Sequence, residues 1–200
     1  MLTSRFARAL RFAERLHRRQ TRKGQTVPYV AHLFSVCALV LEHGGDEDAA
    51  IAALLHDAVE DQGGAATARK IADRFGPEVA EIVLACTDAS PEPGAPKPPW
   101  RARKAAFIER MRKASPQVAL VVTCDKLHNL RCLLDDLDRE GPATLLRFNT
   151  PAGLPWYYAS LAAALSPHRE FAPVDRLQAA AQLFCGRLDG VRLPAGPLDA

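Results

Sequence analysis

The stretch Ile51 to Asp61, IAALLHDAVED, limits the chain more than any other. It opens as an apolar run with helical spacing, Ile51, Leu54 and Leu55 among alanines, and closes on four ionisable groups, His56, Asp57, Glu60 and Asp61. On a helix, residues three or four apart are neighbours. One imidazole and three carboxylates therefore crowd the end of a segment that has to be buried. Like charges at such spacing repel, and a metal ion or a set of cations relieves that repulsion. The plain alternative is a solvated helix end, but acidic groups at a helix C-terminus also oppose its dipole.

The rest of the chain reads as helices around this stretch. Helix one covers Thr3 to about Gln20, with Phe6, Leu10, Ala13 and Leu16 on one face. A basic loop, TRKGQTVP, leads through Pro28 into helix two, Tyr29 to Glu42. His43-Gly44-Gly45 ends it, and Asp46 caps helix three, which carries the opening stretch. Helix four starts at Thr67 or a neighbour and stops at Gly76-Pro77; helix five runs from Pro77 to about Thr87. The prolines of DASPEPGAPKPPW, residues 88 to 100, forbid regular structure there, and the segment reads as a surface loop. Helix resumes over Trp100 to Lys113. Ser115-Pro116 then caps a long helix, Gln117 to about Arg139, and two more span Trp156 to Leu165 and Asp175 to Leu188. No strand alternation or internal repeat interrupts the pattern. The expectation is an all-α fold of roughly eight or nine helices, one domain over residues 1–190 with a frayed tail over 191–200.

The long helix poses a second constraint. Its first half, VALVVTC, is almost wholly apolar, and Asp125 follows at once. A buried carboxylate without a partner is costly. It needs either an internal salt bridge or a metal. His32 likewise interrupts the apolar positions of helix two. Two imidazoles and two carboxylates, His32, His56, Asp57 and Asp125, make a mixed nitrogen and oxygen donor set. That set suits Mn²⁺, Fe²⁺ or Zn²⁺ better than Ca²⁺, and a structural zinc site would more often use cysteine. A hydrolytic metal fits: it acidifies a bound water and offsets phosphoryl charge. Glu60 and Asp61, one turn on, then serve as proton acceptors, and Arg22-Lys23 in the basic loop face an anionic substrate.

Composition excludes other classes. With 26 basic and 23 acidic residues the net charge is +3, too balanced for general nucleic-acid binding. No apolar stretch approaches the roughly 20 residues of a membrane span. Five cysteines without a CxxC pair fit reduced thiols in the cytoplasm. Oligomerisation is left open. His17, His43 and His168 have no partners at metal spacing and read as surface residues. Asp135-Asp136-Asp138 reads as a solvated face.

These residues carry a resemblance. H…HD…D at His32, His56-Asp57 and Asp125 is the pattern of the HD phosphohydrolase superfamily. RKGQTVPYVAH, AALLHDAVED, FGPEVAEIVLACTD and CDKLHNLRCL, in that order, are similar to four segments of the RelA/SpoT hydrolase domain. The chain resembles a stand-alone small alarmone hydrolase, with no room for synthetase, TGS or ACT domains. The resemblance implies a metal, usually Mn²⁺, on His32, His56, Asp57 and Asp125, and an acidic pair, Glu60 and Asp61, that activates water. It implies nucleotide contacts by Arg22, Lys23, Tyr29 and Asn129, with Lys97 and Arg147 as weaker phosphate candidates that otherwise read as surface charges. The activity implied is release of pyrophosphate from (p)ppGpp. Cys132, where the family has Thr, and Lys126, where it has Arg, leave the purine open, so (p)ppApp is an equal candidate. Rival readings are an HD phosphohydrolase acting at another phosphate (an NADPH 2′-phosphatase or a 5′-nucleotidase) and a non-catalytic nucleotide sensor.

Overall fold

A computed structural model describes residues 1–88 and 98–193. Most of the proline-rich segment, with Lys97, and the last seven residues of the tail lie outside the described residues. The described chain is helical throughout: α1 Ser4–His17, α2 Val30–Glu42, α3 Glu47–Leu55, α4 Ala58–Asp61, α5 Gly64–Phe75, α6 Pro77–Cys86, α7 Trp100–Met111, α8 Pro116–Glu140, α9 Leu154–Ala164 and α10 Val174–Leu188. Short 3₁₀ turns sit at Pro142–Arg147, Pro151–Gly153 and Ser166–His168. Among the described residues no helix is long and apolar enough to cross a membrane.

Helix α3 is the axis of the molecule. Every side chain from Ala49 to Leu55 is inaccessible to solvent, as expected of a helix apolar on all sides. Helices α1, α2, α6 and α8 pack around it. Its start is set by Asp46, whose carboxylate accepts from the Ala49 N–H at 2.9 Å. The same chemistry starts α1, where Thr3 accepts from Arg5 N–H, and α8, where Ser115 accepts from Val118 N–H.

The fold has ten α-helices among the described residues, more than the eight or nine expected, because the third helix is broken. His56 and Asp57 form a turn between α3 and α4, with Asp57 at φ −96°, ψ −3°. The His56 ring folds back and donates from Nδ1 to the Ala53 carbonyl at 2.8 Å. That side-chain bond occupies an acceptor the helical ladder would use. Pairing resumes from Asp61 N–H to Asp57 O at 2.9 Å. The next helix also departs from expectation: it begins at Gly64, not Thr67. Gly63 and Gly64 both take left-handed backbone, φ +112° and +57°, which lets the chain reverse and restart within two residues. Thr67 lies inside the helix and donates its hydroxyl to the Gln62 carbonyl.

Five further expectations are corrected. His17 is buried, 1% exposed, and so is His168, whose Nε2 lies 3.1 Å from the Met111 carbonyl oxygen. His43 is half-buried on the Leu39 carbonyl. Asp136 is no part of a solvated face: it is buried and bonded by Arg139, Arg147 and Gln25. Arg147, read as a surface charge, is drawn inward by that carboxylate.

Candidate active site

Three helical segments deliver one polar cluster into the apolar interior. His32 comes from the first turn of α2, His56 and Asp57 from the α3–α4 turn, and Asp125 from the middle of α8. His32 Nε2 lies 3.3 Å from His56 Nε2 and 3.2 Å from Asp125 Oδ1. His56 Nε2 lies 3.0 Å from Asp57 Oδ2 and 3.5 Å from Asp125 Oδ1. One donor atom each from His32, His56 and Asp57 falls within 4.8 Å of the others, the span of a single ion's donor set. Asp125 closes the group from the opposite helix.

Each member is held from behind. Because His56 Nδ1 donates to Ala53 O, its Nε2 is the ring atom turned to the cluster. His32 Nδ1 meets His128 Nδ1 at 2.8 Å. Asp125 accepts from Asn129 Nδ2 at 2.6 Å on one oxygen and from Lys126 Nζ at 2.5 Å on the other. Tyr29 donates its hydroxyl to Asp57 Oδ2. Burial favours the neutral form of His32 and lowers its pKa. Burial opposes charge on His56 too, but the Asp57 and Asp125 carboxylates outweigh it and raise its pKa well above the ordinary value. Burial likewise disfavours charge on Asp125, yet Lys126 and His56 hold its carboxyl well below the usual range. Burial and the His32 ring push the His128 pKa down to about 4, so this outer ring is neutral at pH 7.

Glu60 and Asp61 sit on α4, directly beyond the cluster, and both are solvent-accessible. Partial burial raises the pKa of each, and the Asp57 carboxylate adds to the effect. Asp88 acts in the same direction on Glu60, whereas Lys104 and Lys126 oppose it. Asp61 accepts a hydrogen bond from Gln20 Nε2 at 2.7 Å. A carboxylate with a raised pKa is a better proton acceptor near neutrality.

The basic loop forms the wall beside the cluster. An isolated bridge between Thr21 and Pro28 closes it, and Arg22 N–H donates to Val27 O at 2.8 Å. Gly24, at φ +71°, lets the loop turn against Arg147, whose Cδ would lie 3.2 Å from a Cβ at that position. A cavity of about 210 Å³ opens here, lined by Arg22, Lys23, Tyr29, Asn129, Phe148 and Tyr158 among others. Arg22 Nη2 donates to Asn129 Oδ1 at 2.7 Å. Lys23 Nζ and Arg147 Cζ lie over the Phe148 ring, at 5.6 and 5.3 Å from its centroid. A larger cavity of about 580 Å³ adjoins it and shares Arg22, Gln25, Cys132 and Asp136. The smaller one holds all four expected substrate contacts. All ten residues singled out from the sequence thus fall in one region. Sequence reasoning did not place His17, Gln20 or Tyr158 there, and it tied Lys126 to the purine where the structure pairs it with Asp125. The signal for the first two was their spacing, three apart and immediately before the basic loop.

Comparison with known proteins gives a consistent picture. The HD domain family matches residues 9–147. The guanosine-3′,5′-bis(diphosphate) 3′-pyrophosphohydrolase of Drosophila melanogaster is 36% identical over 134 residues, 66% of this chain and 70% of the relative. The human protein of the same name is also 36% identical over 134 residues, 66% of this chain and 68% of the relative. A solved structure, described as a metazoan ortholog of SpoT that hydrolyzes ppGpp and plays a role in starvation responses, is similar with a TM-score of 0.68. It is 26% identical and covers 95% of this chain and 97% of its own.

Proposed function

We propose, from the premise that the chain belongs to the HD domain family and to its RelA/SpoT-homologue branch, that it is a metal-dependent 3′-pyrophosphohydrolase of nucleotide alarmones, (p)ppGpp or (p)ppApp. One observation carries the reading. The donor atoms of His32, His56, Asp57 and Asp125 converge in an apolar interior beside a cavity walled by Arg22 and Lys23. A nucleotide sensor needs neither a converged donor set nor two carboxylates of raised pKa next to it.

Those four residues would hold the ion, and two imidazoles with two carboxylates fit Mn²⁺ first, with Fe²⁺ or Zn²⁺ as alternatives. When bound, the ion supplies acidity to a water and offsets charge on phosphoryl oxygen. The side chains do the rest. Arg22 and Lys23 bind the anionic substrate, and Tyr29 and Asn129 face the nucleoside. Tyr29 and Asn129 also orient Asp57 and Asp125 through the hydrogen bonds they donate. Glu60 and Asp61 accept the proton of the attacking water. Release of pyrophosphate requires attack on the phosphorus bonded to the ribose 3′ oxygen: the new P–O bond forms there, the P–O3′ bond breaks, and the 3′ oxygen leaves with a proton. Attack on the outer phosphorus would release orthophosphate. Five free cysteines suit a reducing compartment, and we place the enzyme in the cytoplasm.

The test is hydrolysis with Mn²⁺ of ppGpp, pppGpp, ppApp, pppApp and NADPH, with products resolved by chromatography. Pyrophosphate with GDP, GTP, ADP or ATP supports the reading and identifies the purine. Orthophosphate from NADPH or from a 5′ position reassigns the enzyme to another phosphate. Metal binding without turnover on any compound reassigns the chain to sensing.

A further inference from the structure

His17 ends α1 as a buried ring, 1% exposed, stacked on Tyr29 with centroids 5.4 Å apart and planes at 19°. Its Nδ1 lies 2.8 Å from Gln20 Oε1. Gln20 in turn donates from Nε2 to Asp61 Oδ2 at 2.7 Å, and Gln62 Nε2 donates to the same Gln20 oxygen at 2.6 Å. On its other face, the stack presses on the tyrosine that donates to Asp57. One ring therefore stands behind both carboxylate-bearing arms of the site.

The hydrogen bonds have only one consistent direction. An ionised carboxylate accepts and does not donate. Asp61 therefore turns the amide nitrogen of Gln20 toward itself and the amide oxygen back toward His17. That oxygen can only accept, so His17 Nδ1 carries the proton. His17 Nε2 is buried with no hydrogen-bond partner among the described residues. A buried acceptor left bare costs free energy, and an apolar ring of similar size would fill the place without that cost. The Nδ1–H donor is what distinguishes histidine from such a ring here.

We infer that His17 and Gln20 are positioning residues: His17 fixes the Gln20 amide, Gln20 aims the Asp61 carboxylate, and the His17 stack holds Tyr29 against Asp57. The inference rests on the proposed hydrolysis for its kinetic readout. His17→Phe keeps the stack and the filled volume but removes the donor. His17→Asn keeps a donor where Nδ1 stands but leaves space unfilled. A purely packing role ranks Phe above Asn. A positioning role ranks Asn above Phe.

The experiment is steady-state kinetics of the full chain with Mn²⁺ and ppGpp. His17→Phe should lower kcat by about tenfold to a hundredfold, with KM changed by less than about twofold if substrate binding is untouched. His17→Asn should retain more kcat than His17→Phe. His17→Phe combined with Gln20→Ala should cost no more than Gln20→Ala alone, because the two act in one chain. Wild-type kcat in His17→Phe, or kcat ranked Phe above Asn, overturns the inference. If the wild type turns over neither ppGpp nor ppApp, the hydrolase reading fails separately, and the ¹⁵N shifts of the His17 ring decide this one. A protonated Nδ1 with a bare Nε2 supports it, and a protonated Nε2 overturns it.

Discussion

His32 Nε2 and His56 Nε2 face each other at 3.3 Å in the interior, and Asp125 Oδ1 lies within 3.5 Å of both. Two imidazole lone pairs and a carboxylate at such range repel unless a proton or a cation lies among them. A proton on His56 can relieve this repulsion, and an ion held by all four groups should relieve it further. Wild type saturated with Mn²⁺ at a hundred times its Kd should be more stable than the chelated protein by about 2.7 kcal/mol. Turnover should vanish on chelation and return with Mn²⁺. His56→Asn should abolish both effects. Thermal scans with and without EDTA check this; a wild-type melting temperature indifferent to metal would refute it.

Lys126 bonds Asp125 Oδ2 at 2.5 Å with its side chain only 18% exposed. Burial alone would drive the ammonium toward neutrality, but Asp125, with help from Tyr157 and Asp57, raises its pKa well above the ordinary value. Removing one partner of such a pair leaves the other charge uncompensated. Lys126→Met should cost about 3 kcal/mol of stability in the metal-free protein, read as a lower urea midpoint with unchanged slope. Lys126→Arg should keep most of it. A midpoint unmoved by Lys126→Met would show that metal-free Asp125 needs no counter-charge.

Much of this arrangement was legible before any coordinates, and the misses have physical causes. The apolar runs of α3 and α8 announced burial, and polar residues inside such runs announced His32, His56, Asp57 and Asp125 as one group. The resemblance resting on four segments held, since the HD domain family and the SpoT-related hydrolases are the proteins this chain matches. The break at His56-Asp57 was hidden because helical periodicity continues through HDAVED; a side chain returning to the Ala53 carbonyl makes the turn. Asp136 looked solvated because it lies in a charge run, and its partner Gln25 is 111 residues away. His17 looked peripheral because its stacking partner, Tyr29, lies across the basic loop.

Asp88 offers a pH dependence away from the cluster. It closes α6, is 7% exposed, and is bonded by Arg103 Nη1 at 2.6 Å and Lys104 Nζ at 2.5 Å. Burial raises its pKa, but the two cations outweigh burial and hold the carboxyl below its ordinary value. A depressed folded pKa means stability that is fully present above the unfolded value of about 3.9 and is lost as pH falls through the folded one. Asp88→Asn should therefore be less stable than wild type by about 2 kcal/mol at pH 7, and the gap should begin to close as pH falls below the unfolded value of about 3.9 and vanish below the folded one. Urea midpoints of both proteins across that range measure it. A gap that stays constant with pH would mean that packing and not charge holds α6 to α7.

Arg22 connects the cavity wall to the cluster. Its guanidinium lies 5.7 Å from the Tyr29 ring centroid, and its Nη2 donates to Asn129, which donates to Asp125. Arg22 thus lines the cavity with Tyr29 and Asn129 while standing two hydrogen bonds from Asp125. Its main effect should fall on binding. Arg22→Ala should raise KM for the alarmone by about tenfold, the worth of one charged hydrogen bond, with a smaller fall in kcat. Arg22→Lys should restore little, because an ammonium lacks the guanidinium's fixed, directed donors. Raising salt should weaken wild-type binding and narrow the difference between wild type and Arg22→Ala, since the lost term is partly Coulombic. Steady-state kinetics at two ionic strengths test this. A fall in kcat with KM unchanged would place Arg22 with the reacting groups instead of the binding wall.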